Sequence, residues 1–262
     1  MNKNSLLKSF MIFIVFLSAF SSCKEDKKEV VIPTDCTGVH WEYTGDHGPD
    51  HWVDLCTGYS ACGGETQSPI NITGAVDNAS LSALSFNYDT TAVEIENNGH
   101  TVEFVCDPGS KLTIGGTEYE LLQFHYHGLS EHEVNGNHYP LEVHFVNKAT
   151  DDNYAVVGLF IEEGAENHLF TEFLSHFPHD EGIYEDHEAH IDLSSLFPDD
   201  KSYYNYNGSL TTPPCSEVVN WYVLKNTITA SASQISEFQS ILNNNYRPIQ
   251  DLNGRTISSF NE

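Results

Sequence analysis

The sequence predicts an α+β fold, mainly β, in which a largely antiparallel sheet carries short peripheral helices. Many short segments alternate polar and apolar residues, the two-residue period of half-buried strands, and turns rich in Gly, Pro and Asn separate them. Two segments, 166–177 and 233–243, instead repeat apolar residues every three or four positions, as amphipathic helices do. No linker rich in Pro, Gly or Ser divides residues 35–262, so we expect a single domain there.

The individual elements follow from the same patterns. Residues 41–52 are aromatic and interrupted by turn residues, which predicts an irregular arm packed on the core. Residues 153–162 are almost continuously apolar, the pattern of a central strand buried on both faces. Alternation predicts further strands at 93–96, 100–105, 123–127 and 142–146, with turns at 97–99, 107–109 and 115–116.

The N-terminal residues predict export. Lys3 and Lys8 precede an apolar run at 10–20, which is short for a membrane span and typical of a signal peptide. Small residues then lead to Cys23, as at a bacterial lipoprotein processing site, although Phe20 stands where an aliphatic residue is usual. We therefore expect a signal peptide at 1–22, a lipidated Cys23 and charged tether at 23–34, and a domain at 35–262. The expected location is the periplasm, the outer membrane or the cell surface.

Composition narrows the range of partners. The 262 residues carry 11 basic and 38 acidic side chains, a formal charge of -27. A chain with so few basic residues has no basic surface that could neutralise phosphates. The composition therefore excludes nucleic-acid binding. We expect membrane contact only through the lipid anchor. Six cysteines indicate an oxidising compartment; if Cys23 is lipidated, five remain and at least one lacks an intramolecular partner.

Three histidines on two predicted strands form the clearest functional pattern. His125 and His127 share one strand face, and a neighbouring antiparallel strand with His144 could complete a three-nitrogen site with one open position, as in catalytic zinc sites. Gln123 and Glu142 lie on the same faces and could accept the second ring N–H groups. The alternative is a set of unrelated core or surface histidines, which the third histidine and the two polar neighbours disfavour.

Several motifs, taken together, connect this pattern with a known family. They are Gln67-Ser-Pro-Ile-Asn-Ile72, Asn97-Asn-Gly-His100, Gln123-Phe-His-Tyr-His127, Ser130-Glu-His132, Glu142-Val-His144 and Ser209-Leu-Thr-Thr-Pro-Pro214. From about Trp41 to Arg255 the chain resembles the alpha-class carbonic anhydrases secreted by bacteria. The resemblance implies a large twisted, mostly antiparallel central sheet with zinc in a conical cleft. It also implies reversible hydration of CO2 to bicarbonate and a proton by zinc-bound hydroxide.

The resemblance assigns roles to individual residues. His125, His127 and His144 would bind Zn²⁺, and Glu131 would take the proton of the Thr211 hydroxyl, which then orients the nucleophile. His100 would shuttle protons through water ordered by Tyr43 and Asn97, and Thr212 could hydrogen-bond bicarbonate. An apolar CO2 pocket would be lined by Val146, Val156, Leu210, Val219 and Trp221. The simpler alternatives are turn chemistry for Thr211, a solvated turn histidine for His100 and core packing for the pocket residues.

The resemblance also implies a disulfide between Cys62 and Cys215. It leaves three cysteines unassigned; a bridge between Cys36 and Cys56 would make Cys106 the single thiol. A further group of histidines among acidic residues could suggest a second metal site, but its irregular spacing favours a solvated acidic loop. These histidines are His176, His179, His187 and His190.

Two other functions are compatible with such a chain. A catalytically silent relative could serve as a surface binding module, but such proteins typically lack one or more zinc histidines. A zinc esterase could use the same nucleophile on activated esters, and we expect this only as a side activity.

Overall fold

The computed structural model describes residues 34–88, 90–150 and 153–262. The predicted signal peptide, the lipidated Cys23 and nearly all of the tether therefore lie outside the described residues. No helix among the described residues has the length and apolar character needed to cross a membrane.

Strands are the main regular structure of the described chain. The strands are β1 Asn71–Ile72, β2 Val76–Asp77, β3 Leu84–Asn87, β4 Thr90–Asn97, β5 Val102–Cys106, β6 Lys111–Ile114, β7 Thr117–His127, β8 Glu133–Val134, β9 Leu141–Lys148, β10 Tyr154–Glu163, β11 Gly182–Asp192, β12 Tyr203–Gly208, β13 Val219–Leu224, β14 Ile228–Ala230 and β15 Ser258–Phe260. The α-helices are α1 Trp52–Leu55, α2 His168–His176 and α3 Ala232–Leu242. Short 3₁₀ helices lie at Gly45–His47, Thr57–Gly63 and Leu193–Leu196.

One sheet contains thirteen of the described strands, and β1 and β8 pair with each other in a separate two-stranded sheet. The order of the large sheet is β11-β4-β5-β7-β9-β10-β13-β12-β15-β2, with β14 beside β10 and the β3–β6 pair beside β7. Most neighbours are antiparallel, as predicted, but β10 runs parallel to both β13 and β14. The predicted central strand is confirmed: seven consecutive residues of β10 are buried. A strand with both faces covered reads as a continuous apolar run, which explains its sequence.

The two faces of β10 belong to different parts of the core. Val157, Leu159 and Ile161 pack in the larger cluster, which includes aromatic residues of α2 and α3. Val156 and Phe160 point the other way, into a smaller cluster with Trp221. Because side chains alternate along a strand, the sheet separates a helix-covered face from a face free to build a site.

Both predicted amphipathic helices are present, with capped N-termini. The Asn167 side chain accepts the Leu169 N–H at the start of α2, and Ser231 with Gln234 forms a capping box at α3.

The prediction of an acidic loop is partly wrong, because Gly182–Asp192 forms the edge strand β11, which pairs with β4. The arm is less irregular than predicted, since it contains helical turns and α1. The strand predicted at 100–105 begins only at Val102.

The described cysteines form two disulfides. Cys62 bonds to Cys215, as the resemblance implied, and Cys36 bonds to Cys56. Among the described residues Cys106 is the free cysteine, and burial raises the pKa of its thiol to about 12. Two disulfides are typical of an extracellular or periplasmic protein.

Candidate metal centre and active site

Strand register brings the three predicted histidines together. His125 and His127 lie on β7, and His144 lies on the antiparallel strand β9 directly opposite His125. One ring nitrogen from each histidine lies within 4.8 Å of the corresponding nitrogens of the other two. The geometry inferred from sequence, two imidazoles on one strand and a third beside them, is therefore present.

Each remaining ring nitrogen lies close to a polar atom. His125 Nδ1 lies 2.8 Å from Gln123 Oε1, and His144 Nε2 lies 3.0 Å from Glu142 Oε1. His127 Nδ1 lies 2.6 Å from the backbone oxygen of Asn245. Gln123 and Glu142 are therefore placed as predicted. The Asn245 partner was missed, because a backbone oxygen leaves no residue-type signal in the sequence.

The environment favours neutral imidazoles. Burial, followed by the nearby His127 and His144, holds the pKa of His125 well below its ordinary value. Burial also lowers the pKa of His127. A neutral imidazole keeps the lone pair with which it binds a metal, so these rings are available as ligands at neutral pH.

Two buried atoms, one of them in the histidine cluster itself, indicate that the site suits a cation. Within the described part of the chain, His127 Nε2 and Glu131 Oε2 have no hydrogen-bond partner. These atoms lie 3.6 Å apart, and Glu131 Oε2 is 3.8 Å from His144 Nδ1. Buried polar atoms without partners cost free energy, which a bound cation would offset. Three imidazole nitrogens are a donor set that suits Zn²⁺, so the residues fit this metal.

The loop that carries Thr211 and Thr212 lies close to the Cys62–Cys215 disulfide. Thr211 is buried, and the Cys215 N–H donates to the Thr212 oxygen at 2.8 Å. Glu131 Oε1 accepts the Arg247 N–H at 2.8 Å, but Glu131 Oε2 has no partner among the described residues. Thr211 therefore does not donate to Glu131 Oε2 in this structure, and their cooperation stays a prediction.

The five predicted pocket residues lie in one apolar cluster. Val156, Val219 and Trp221 are buried members, and Val146 and Leu210 pack against them. The Trp221 ring centroid lies 4.8 Å from that of His144. The cluster thus forms an apolar wall next to the histidines, on the sheet face opposite α2 and α3.

His100 lies in a turn at the edge of a polar cavity. The Asn98 side chain accepts its backbone N–H, and its ring stacks on Trp41 with centroids 3.6 Å apart. Burial, followed by the charge of His40, lowers the pKa of His100, while Glu181 and Glu42 act in the opposite direction. The cavity has a volume of about 600 Å³ and is also lined by Tyr43, Asn97 and His179.

The structure assigns Asn97 a contact that the sequence did not reveal. Its side-chain Nδ2 donates to the Pro178 oxygen at 3.1 Å, and its Oδ1 accepts the Gly99 N–H. Asn97 therefore shapes the His100 turn directly.

In the His-rich acidic segment, neither His176 nor His179 belongs to a metal-binding group among the described residues. The side chains of His187 and His190 lie outside those residues.

Comparison with known proteins agrees with this geometry. The family model described as eukaryotic-type carbonic anhydrase matches residues 47–261. A carbonic anhydrase from Pectobacterium carotovorum is 42% identical over 84% of this chain and 90% of its own length. One from Nostoc sp. is 38% identical over 92% of this chain and 91% of its own length.

Solved structures give the same result. The alpha-carbonic anhydrase of Thermovibrio ammonificans, in complex with sulfanilamide, superimposes with a TM-score of 0.81 and 40% identity, covering 84% of this chain and 99% of its own. A dioscorin complexed with ascorbate has a TM-score of 0.79 and 30% identity, covering 85% and 98%. The chain therefore belongs to the alpha, or eukaryotic-type, carbonic anhydrase family of enzymes.

Proposed function

We propose that this chain catalyses the reversible hydration of CO2 to bicarbonate and a proton, with zinc held by His125, His127 and His144. The observation that carries the proposal is the set of three clustered ring nitrogens. The other nitrogen of each ring already faces Gln123 Oε1, the Asn245 oxygen or Glu142 Oε1. Such partners hold metal-binding imidazoles in one tautomer and orientation.

His125, His127 and His144 would leave a bound zinc ion its full charge, and the ion would act as a Lewis acid that makes water ionisable near neutral pH. Thr211 orients the attacking water: when Glu131 accepts the proton of the Thr211 hydroxyl, the Thr211 oxygen can itself accept a hydrogen bond. Thr212 offers a hydroxyl to the bicarbonate formed. Val146, Val156, Leu210, Val219 and Trp221 provide the apolar surface that uncharged CO2 requires.

His100 removes the proton that each hydration releases. Its lowered pKa keeps the ring neutral, and able to accept a proton, at neutral pH. The stack on Trp41 holds the ring beside the polar cavity, from which a proton can pass to solvent.

The test is CO2 hydration by the purified chain, measured by stopped flow before zinc removal, after removal by a chelator, and after zinc is restored. We expect activity to vanish with the metal and to return with it. Hydrolysis of an activated ester, measured in parallel, should be much the slower reaction. A zinc-loaded protein without hydration activity would refute the enzyme proposal in favour of a binding module, as the likeness to ascorbate-bound dioscorin allows.

We also propose that the chain is exported and anchored to a membrane by a lipid on Cys23. The two disulfides support an oxidising compartment. Mass spectrometry of the N-terminal peptide from the native source, with Cys23→Ser as control, should detect acyl chains only when Cys23 is present. An unmodified Cys23 would contradict the anchor.

A further inference from the structure

A second disulfide fixes the start of the arm that leads to the edge of the polar cavity beside His100. Residues 34–44 form no helix or strand. Within this segment Cys36 is bonded to Cys56, the residue that follows α1. Gly58 leaves room for the bridge, since a Cβ at Gly58 would collide with Cys36 Sγ. The start of the arm is therefore held covalently against the end of α1.

The part of the arm that follows the bridge has few other attachments. Among the described residues, segment 36–41 makes no hydrogen bond to the domain beyond the arm. The Val39 N–H donates to the Cys36 oxygen at 3.0 Å, and His40 Nε2 lies 3.1 Å from Glu42 Oε1. Hydrogen bonding to the domain resumes at Glu42, whose backbone oxygen accepts the ring N–H of Trp52 at 3.0 Å. A segment with so few hydrogen bonds opens easily, so its two fixed ends decide its path.

Between these two ends lie the aromatic rings that pack on His100. Trp41 stacks on His100 with centroids 3.6 Å apart and planes 11° apart. The other side of the contact is firm, because Trp41 meets the fully buried Trp52 edge to face at 5.3 Å. The His40 ring lies 6.0 Å from the His100 ring. The arm thus supplies the ring that covers His100.

The arm also supplies charges that act on His100. Burial and then His40 lower the pKa of His100, whereas Glu181 and Glu42 raise it. His40 and Glu42 belong to the arm, while Glu181 precedes β11, and His179 lines the same cavity. Removing the arm would expose the ring and take away His40, so the pKa of His100 would rise; the smaller loss of Glu42 acts in the opposite direction.

We propose that the Cys36–Cys56 bond acts as a positioning clamp, which keeps Trp41 and His40 of the arm against the proton carrier His100; this rests on the proposed function. Without the bond, the start of the arm keeps a hydrogen bond from Thr57 Oγ1 to the Thr34 oxygen at 3.2 Å, which is exposed and contributes little. The arm then swings away from the cavity, and Trp41 no longer holds the His100 ring in place.

The decisive variant is Cys36→Ala/Cys56→Ala, compared with the wild type by NMR of isotope-labelled histidine. The His100 signal is assigned with His100→Ala. We expect the titration midpoint of His100 to move to higher pH, and the nuclear Overhauser contacts between the Trp41 and His100 rings to disappear. Thr57→Val is the matched control, because it removes the neighbouring hydrogen bond and leaves the bridge intact. It should match the wild type in both measurements.

Kinetics distinguish a clamp from general support of the fold. At a pH well above both midpoints, the double variant should have a lower kcat in weak buffer. General acid–base groups contribute roughly 10² to 10⁴, and here the carrier is displaced and not removed, so we expect a fall of about 3- to 10-fold. Added imidazole should restore kcat. Because proton release follows bicarbonate formation, kcat/KM should stay unchanged, whereas a loosened active site would lower kcat/KM and resist rescue.

If the double variant does not fold, the folded wild type is treated with a dithiol, which becomes a cyclic disulfide as the bridge becomes two thiols. Cys36 is half-buried, whereas Cys62 and Cys215 are both buried, so alkylation and mass spectrometry can select protein modified only at Cys36 and Cys56. An unchanged midpoint and unchanged ring contacts after loss of the bridge would overturn the proposal. The NMR measurements need no CO2, so the expected NMR changes in a protein that hydrates no CO2 would refute the proposed function alone.

Discussion

His100 combines two properties that a proton carrier needs: a ring kept neutral at neutral pH by its lowered pKa, and a place at the edge of a polar cavity. We expect His100→Ala to lower kcat for CO2 hydration in weak buffer by at least about 10-fold, since general acid–base groups contribute roughly 10² to 10⁴. Added imidazole should restore the rate, because it can accept the same proton. His51→Ala, which removes an exposed arm histidine, is the control and should behave as wild type. Unchanged turnover in His100→Ala without imidazole would remove the shuttle role.

The surroundings of His100 predict a pH dependence with a definite sign. His100 accepts a proton only when neutral, so kcat in weak buffer should rise with pH through its pKa. Burial and then His40 lower this pKa, whereas Glu181 raises it. His40→Ala should therefore move the midpoint of the kcat profile to higher pH, and Glu181→Gln should move it to lower pH. Shifts in the same direction would contradict this electrostatic account.

At the scale of elements, the sheet explains why three histidines cluster at its centre. The antiparallel pair β7–β9 places His125 opposite His144, and β10 places Gly158 opposite His144 on the other side. Gly158 leaves the space that the Glu142 carboxylate occupies. The three histidines therefore lie on two adjacent, hydrogen-bonded strands, and a third strand, β10, supports them. Strands are more rigid than loops and hold a donor set in place.

The two disulfides join elements at very different separations along the chain. Cys62 and Cys215 are 153 residues apart, whereas Cys36 and Cys56 are 20 apart. Loop entropy predicts a loss of about 5 kcal/mol in the free energy of unfolding for Cys62→Ala/Cys215→Ala, and about 3 kcal/mol for Cys36→Ala/Cys56→Ala. Denaturant unfolding of the two double variants measures both values. An equal or larger loss from the shorter loop would show that chain entropy does not dominate.

At the scale of the whole molecule, the charge of -27 creates strong self-repulsion in the folded state. Salt screens such repulsion, so raising NaCl from about 10 mM to about 500 mM at pH 7 should raise Tm by a few degrees. KCl at the same concentrations should raise Tm by the same amount, because screening depends on ionic strength. Near pH 5, close to the isoelectric point of about 4.6, the rise in Tm caused by salt should be smaller, because less net charge remains to be screened. Calorimetry checks this, and a Tm independent of salt at pH 7 would contradict it.

Much of the site could be predicted from local patterns. Period-2 alternation put His125 and His127 on one face, and the same period placed Gln123 and Glu142 beside their histidines. The apolar run of β10 revealed a central strand, and spacing revealed α2 and α3. These features depend on neighbours within a few residues, which is why the sequence alone determined them.

The tertiary structure decided the contacts between distant segments. Asn245 supplies its backbone oxygen to His127 across 118 residues, and Tyr206 reaches Ser68 across 138. The parallel pairing of β10 and the strand β11 also appeared only in the fold. The fold likewise decided for the Cys36–Cys56 bond, which the sequence had offered only as one option. Such contacts depend on strand register and on backbone atoms that every residue type shares. No local periodicity encodes them, so only the folded chain determines which residues complete the site.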